Sequence, residues 1–136
     1  MIDPPWPQAR GGPLRGREGF LDAVSSASLP MPYRTMPVEQ IAALPVGQLA
    51  ERDAHLYLWA TNRFLPDAFG VLEAWGFKYS TTLVWAKNPM GGGLGGAYGI
   101  STEFILFARK GKLKPTSRVG ATWFNWKRPY NEAGKP

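Results

Sequence analysis

Cysteine is absent from this chain of 136 residues, and histidine occurs once, as His55. Without thiols the protein forms no disulfide bond and holds no metal ion through thiolates, which fits an intracellular, cytoplasmic protein. His55 stands just before an apolar segment typical of a β-strand, and we interpret it as a residue at the start of that strand. Neither a zinc site nor a Ser-His catalytic pair is supported, so no metal is expected. Catalysis would depend on carboxylates, backbone groups and aromatic rings.

Long apolar runs are also lacking. No segment is long enough to span a bilayer, and the first residues lack the basic, apolar and small-residue succession of a signal peptide, so no membrane role is indicated. Acidic residues are few: 16 Lys and Arg against 10 Asp and Glu give a formal net charge of +6. The length allows one domain at most, over residues 1–136, with a hydrophobic core of its own.

The positive charge is concentrated in one segment near the C-terminus that contains no acid, and a smaller group follows the N-terminal motif described below. Cations interleaved with stackable rings are what nucleic-acid grooves use, so we predict backbone contacts there. The alternative is a solvated basic hairpin whose rings pack inward. The predicted contact residues are Arg109, Lys110, Lys112, Lys114, Arg118, Lys127 and Arg128, together with Arg10, Arg15 and Arg17. The rings of the segment are Trp123, Phe124, Trp126 and Tyr130.

The most informative motif is Asp3-Pro4-Pro5-Trp6. An exocyclic amine of a base is a poor nucleophile, because its lone pair is delocalised into the ring. Hydrogen-bond acceptors on the amine counteract this, and the Asp3 carboxylate and the Pro4 carbonyl are such acceptors, held by two prolines of fixed φ. Trp6 offers a face on which an extruded base can stack. The alternative is an ordinary Asp-initiated turn with a buried Trp.

Short strands and helices alternate along the chain between two Pro/Gly-rich loops, 7–32 and 88–100, which we interpret as flexible active-site loops. The patterns predict a short helix from Thr35 to Pro45, strands over 56–60, 77–87 and 103–109, a helix capped by Asn62 and ended by Gly76, and a last strand over 122–126. The strand-helix-strand order indicates a right-handed parallel crossover. The expected fold is therefore α/β, with a mostly parallel sheet and flanking helices.

Polar groups follow several of these strands. Asp3-Pro4-Pro5-Trp6, Asn62 and Lys87 all come directly after a predicted strand. In open α/β sheets ligands bind beyond the carboxyl ends of the strands. The sequence therefore predicts one pocket at that edge.

Taken together, these motifs resemble the N6-adenine methyltransferases, which include the catalytic subunit of the messenger-RNA adenosine methyltransferase and phage and bacterial DNA-adenine methylases. The resemblance covers nearly the whole chain. It rests on Asp3-Pro4-Pro5-Trp6, on Tyr33-Arg34-Thr35-Met36, on Leu58-Trp59-Ala60-Thr61, and on the later Ala74-Trp75-Gly76-Phe77 and Val84-Trp85-Ala86-Lys87.

The resemblance implies a Rossmann-like methyltransferase fold with S-adenosylmethionine as methyl donor and direct in-line transfer, without a covalent enzyme intermediate. Asp3 and Pro4 would engage the amine, with Pro5 completing the catalytic motif, and Trp6 and Tyr33 would flank the adenine. Thr35 and Asn62 would complete the substrate site. Asp3, Lys87 and Glu103 would contact the methyl donor. DNA is favoured over RNA, by analogy with compact relatives.

Relatives continue after the segment equivalent to Tyr130 and Asn131 with a Ser-x-Lys-Pro stretch, a helix and a Glu-Leu-Phe strand, and Thr102 replaces a histidine that often precedes the glutamate. The sequence thus indicates a partial catalytic domain, incomplete at the C-terminus, that does not bind S-adenosylmethionine unaided. A partner subunit or a further C-terminal segment would complete it. Two other functions stay open: a catalytically silent nucleic-acid-binding relative, and a cytosine N4 methyltransferase.

Overall fold

The computed structural model describes residues 1–7, 32–87 and 98–127. Predictions on the remaining residues lie outside the described part of the chain. These include most of both Pro/Gly-rich loops, and the side chains of Arg10, Arg15, Arg17, Arg128 and Tyr130.

Four strands and four helical segments make up the described fold. The strands are β1 (Ala54–Ala60), β2 (Lys78–Ala86), β3 (Thr102–Lys110) and β4 (Trp123–Phe124). The helices are α1 (Val38–Ala42), α2 (Val46–Leu49) and α3 (Leu65–Ala74), and a short 3-10 helix, Asn62–Phe64, precedes α3. No helix in this part of the chain has the length and hydropathy needed to cross a membrane.

The sheet has the order β1-β3-β2-β4, and the predicted mostly parallel arrangement is wrong. β3 pairs antiparallel with both β1 and β2, while β2 and β4 are parallel. β1 and β2 therefore do run in the same direction, as a strand-helix-strand unit requires, but β3 lies between them. The apolar runs did not reveal this, because a strand covered on both faces has the same composition whichever way its neighbour runs.

The helices pack on the sheet face that carries Leu56, Leu58 and Leu106. Ile41 from α1 and Leu72 from α3 complete this core, and all five side chains are buried. The alternate strand positions point to the opposite face, since successive side chains in a strand alternate. That second face is lined by rings: Tyr57 and Phe107 are in contact, with 5.0 Å between centroids, as are Trp59 and Trp85 at 5.8 Å.

The end of α3 follows the sequence prediction. Gly76 has a φ of +77°, a conformation that favours glycine, and the Phe77 amide donates to the Leu72 carbonyl over 3.0 Å to close the turn. The start differs from the prediction. Asn62 begins the 3-10 helix and makes no capping hydrogen bond, because its side chain is used in a contact with β3. The sequence also predicted one short helix before β1, whereas Pro45 separates two, α1 and α2.

The N-terminus joins the sheet beside β1. Ile2 forms a parallel bridge with Leu58, its amide donating to the Tyr57 carbonyl over 2.8 Å and its carbonyl accepting from Trp59 over 2.9 Å. Asp3 therefore emerges at the same edge of the sheet as the carboxyl end of β1.

Candidate active site

The Asp-Pro-Pro-Trp motif forms a tight turn at this edge. The Trp6 amide donates to the Pro4 carbonyl over 2.8 Å, and a carbonyl oxygen keeps a second lone pair for another donor. The next carbonyl, of Pro5, accepts from the Met36 amide, also over 2.8 Å. This bond fastens the Tyr33-Arg34-Thr35-Met36 segment beside the motif, although the two are far apart in sequence. Tyr33 is exposed and Thr35 is half-buried, and both stand shortly before the Met36 amide that contacts Pro5.

Trp6 does not have the open face that a stacking base needs. Its side chain is only 1% exposed and its ring lies parallel to that of Phe64, with 5.6 Å between centroids. Its indole N–H donates to the Trp59 carbonyl over 3.0 Å. The predicted stacking role is therefore corrected: Trp6 anchors the motif in the core, where a large ring gains more from burial than from solvent exposure.

Lys87 and Glu103 are brought together by the pairing of β2 with β3. They form an ion pair, and both side chains are largely buried. The backbone supports this arrangement, since the Lys87 amide donates to the Ser101 carbonyl over 2.9 Å. The Lys87 ammonium also lies 5.6 Å from the centre of the Trp85 ring, within cation–π distance. Lys87 and Glu103, which the sequence predicts to contact the methyl donor, thus lie together as an ion pair at the site edge.

The environment of Asp3 shifts the pKa of its carboxyl group. Partial burial of its carboxyl raises the pKa of Asp3 above the ordinary value, and the negative charge of Glu103 raises the pKa further. Both causes disfavour the ionised form, which makes the carboxylate a stronger proton acceptor. The sign is the one required of a group that accepts hydrogen bonds from an amine about to lose a proton.

Asn62 also lies at this edge of the sheet. Its amide nitrogen donates to the Thr102 carbonyl over 2.9 Å and lies 3.4 Å from the Thr102 hydroxyl, so it links the end of β1 to the start of β3.

The adjacent Thr61 was not singled out from the sequence. Its hydroxyl oxygen is buried and has no hydrogen-bond partner within the described part of the chain. The available signal was a polar residue placed directly after a buried strand.

The residues of the basic segment lie at different ends of the sheet. β3 runs away from the site edge, and its nine residues span about 27 Å at ~3.4 Å per residue. Arg109 and Lys110 therefore lie at the far end, where the Lys110 ammonium donates to the Gly47 carbonyl over 2.6 Å. Lys112 is fixed there too, its amide donating to Asp53 over 2.6 Å. Lys114 also lies at the far end, because the carbonyl of the preceding Leu113 accepts from the His55 ring over 2.9 Å. Arg118 is exposed on the connection that leads to β4, and Lys127 follows β4 near the site edge.

Two surface grooves also lie away from the site. One is formed by the end of α3 and the start of β2, including Phe69, Phe77 and Tyr79, and the other by α1, α2 and Trp75. Neither contains Asp3, Asn62, Lys87 or Glu103. Within the described residues, these four side chains therefore lie at the edge of the sheet and not in the two grooves.

Comparison with known proteins agrees with this site. The sequence model of the MT-A70 family matches residues 1–116, which include the motif turn, Asn62, Lys87 and Glu103. The Type II methyltransferase M.MunI of a Mycoplasma species is 33% identical over 129 residues, which cover 85% of this chain and 52% of that enzyme.

Two plant proteins are also similar over 88 residues. They are the N(6)-adenosine-methyltransferase MT-A70-like of Arabidopsis thaliana, 28% identical, and the probable N(6)-adenosine-methyltransferase MT-A70-like of Oryza sativa subsp. japonica, 27% identical. Each match covers 65% of this chain and 10% of the plant protein. The chain thus spans about half the length of the Mycoplasma relative and a tenth of the plant relatives. The family match over most of the sequence shows that this chain belongs to the MT-A70 family of methyltransferases.

Proposed function

We propose that this chain carries the amine-binding part of a nucleic-acid adenine-N6 methyltransferase that uses S-adenosylmethionine, with DNA favoured over RNA as substrate. The observation that carries the proposal is the position of Asp3. Its carboxyl lies on a rigid turn at the open edge of the sheet, and burial and Glu103 raise its pKa. Two of the similar proteins are named as N(6)-adenosine methyltransferases, which supports the choice of amine.

The residues at this edge suit the methyl donor. S-adenosylmethionine, when bound, supplies a methyl group on a positively charged sulfonium. The carboxylates of Asp3 and Glu103 complement positive charge, and the Lys87 ammonium complements a carboxylate. The buried Thr61 hydroxyl lacks a hydrogen-bond partner in the described residues, so it is a polar group that a bound polar ligand would satisfy.

The chain's own groups then act by positioning and electrostatics. Asp3 and the free lone pair of the Pro4 carbonyl accept hydrogen bonds from the two N–H groups of the target amine, which returns electron density to the nitrogen. The two prolines and the buried Trp6 keep these acceptors in place, so little reorganisation is needed when charge develops. The raised pKa of Asp3 suits its carboxylate to accept the proton that the amine must lose when it gains a methyl group. Tyr33 and Thr35 lie beside the base.

A methyl-transfer assay tests the proposal on the full-length polypeptide that carries this sequence. DNA and RNA oligonucleotides are incubated with methyl-labelled S-adenosylmethionine, and the modified nucleosides are identified. We expect N6-methyladenosine or its deoxy form, and a loss of about 100-fold or more for Asp3→Asn, since a positioned proton acceptor contributes that much. Glu51→Gln is the matched control, because this exposed carboxylate stands before β1 at the other end of the sheet.

Three results would contradict the assignment in different ways. Equal activity of the native protein and Asp3→Asn would remove Asp3 from the mechanism. N4-methylcytosine as the product would replace adenine by cytosine as the target. Nucleic-acid binding without any methyl transfer would identify a catalytically silent binding protein.

A further inference from the structure

A pair of stacked rings lies on the sheet face opposite the helices, close to the site edge. Phe124 and Trp126 have centroids 4.5 Å apart and an interplanar angle of 22°. Trp126 is 50% exposed and Phe124 is half-buried, so the open ring face belongs to Trp126. Large aromatic rings gain from stacking on another ring.

The ring pair is connected to the active site through β2. Phe124 pairs in parallel register with Trp85, whose indole N–H donates to the Trp126 carbonyl over 2.9 Å. Trp85 in turn pairs across the sheet with Glu103 and carries the Lys87 ammonium over its ring. The strand of Phe124 is therefore next to β2, which leads into Lys87, and β2 separates it from Glu103 on β3.

Charge around the rings favours a polyanion. The exposed Lys127 follows Trp126 directly, and the sequence contains no acid between Lys110 and Lys127. A cation beside stackable rings is the combination by which proteins hold unpaired nucleotides, whereas a paired duplex keeps its base faces covered. Binding of an apolar protein surface would not be favoured by a cation at this position.

We propose that Phe124 and Trp126 form a stacking platform for an unpaired base in the strand that carries the target base, so that this site takes single-stranded nucleic acid. This inference rests on the proposed function and specifies its substrate class. The occupant is a single strand of DNA or RNA, since both present the same base faces.

Trp123 provides an internal control for this platform. It is 62% exposed on the same short strand, but it pairs in register with Val84, whereas Phe124 pairs with Trp85. Its side chain therefore projects from the opposite face of the sheet. The hydrogen bond from Trp85 reaches the backbone of residue 126, so it remains available when the side chain of Trp126 is truncated.

The test is fluorescence anisotropy on the full chain without methyl donor, using labelled 12-nucleotide DNA and RNA strands that contain one adenine, and the corresponding duplexes. We expect Trp126→Ala to weaken single-strand binding about tenfold and Trp126→Phe to restore most of it, consistent with one stacking contact. Trp123→Ala should stay within about twofold of the native protein. The salt dependence should be unchanged in Trp126→Ala, because stacking releases no counterions, and should decrease in Lys127→Gln.

Equal losses for Trp126→Ala and Trp123→Ala, or duplexes bound as tightly as single strands, would overturn the platform. The Asp3→Asn variant separates the two proposals. If it binds like the native protein and Trp126→Ala does not, the platform stands whatever the methylation assay shows. If methyl transfer occurs and Trp126→Ala leaves both binding and transfer unchanged, the platform fails while the proposed function stands.

Discussion

The position of Trp6 makes a quantitative prediction about stability. If its ring anchors the catalytic turn in the core, Trp6→Ala should destabilise the fold strongly. Truncating a buried Trp costs about 3–5 kcal/mol through lost burial and the cavity left behind. The lost hydrogen bond to the Trp59 carbonyl adds about 1 kcal/mol. We therefore expect about 4–6 kcal/mol, against a total stability of about 5–15 kcal/mol for a typical domain.

The Trp6→Phe variant separates the free energy of ring burial from that of the hydrogen bond to Trp59. Phe keeps a ring against Phe64 but lacks the indole donor, so the Trp59 carbonyl loses this partner at a cost of about 1–3 kcal/mol. Urea unfolding followed by far-UV circular dichroism measures each variant. The exposed Trp123→Ala is the matched control, and its effect should stay below about 0.5 kcal/mol. A Trp6→Ala midpoint close to that of Trp123→Ala would refute the structural role and return Trp6 to the base-binding surface.

Two further predictions concern the charges of the site and the packing behind it. Glu103→Gln should lower the pKa of Asp3, because it removes the negative charge that raises it, and should move the acid limb of the pH–rate profile to lower pH. An acid limb that stays in place or moves upward would contradict this. Gly47→Ala should destabilise the protein by about 1–3 kcal/mol, since its Cβ would meet the Trp75 carbonyl, whereas Gly70→Ala in α3 has open space and should stabilise by up to ~1 kcal/mol. Thermal unfolding of both variants decides this, and a Gly47→Ala protein as stable as Gly70→Ala would show that the backbone contact yields at no cost.

The raised pKa of Asp3 also couples folding to pH. Because its pKa is higher in the folded protein than in the unfolded chain, the folded state holds the proton over the pH range just above 3.8. Its contribution to stability is therefore present at lower pH and decreases as the pH rises through the folded-state pKa. The folded protein is thus less stable with Asp3 ionised, which is the form required by the proposed function.

Local patterns were sufficient for the individual elements and for the site edge. The apolar run ending at Ala60, the helical spacing that stops at Gly76 and the apolar strand through Ile105 all correspond to observed elements. The prediction that Asp3 and Lys87 meet near Asn62 followed from the rule that strand ends collect at one edge, and the contacts with Glu103 and Thr102 bring these residues together. Such features depend on short-range periodicity and turn chemistry, which the sequence carries directly.

Strand direction and the exposure of each ring were decided by tertiary structure. β3 lies antiparallel between β1 and β2, and this pairing moved Arg109 and Lys110 to the far end of the sheet although they are near the site segment in sequence. Trp6 and Trp126 are the same residue type, yet one is buried against Phe64 and the other is half exposed. The sequence by itself determined which polar residues follow the ends of the strands. Which of them face solvent depends on contacts between distant segments, and no local pattern contains that information.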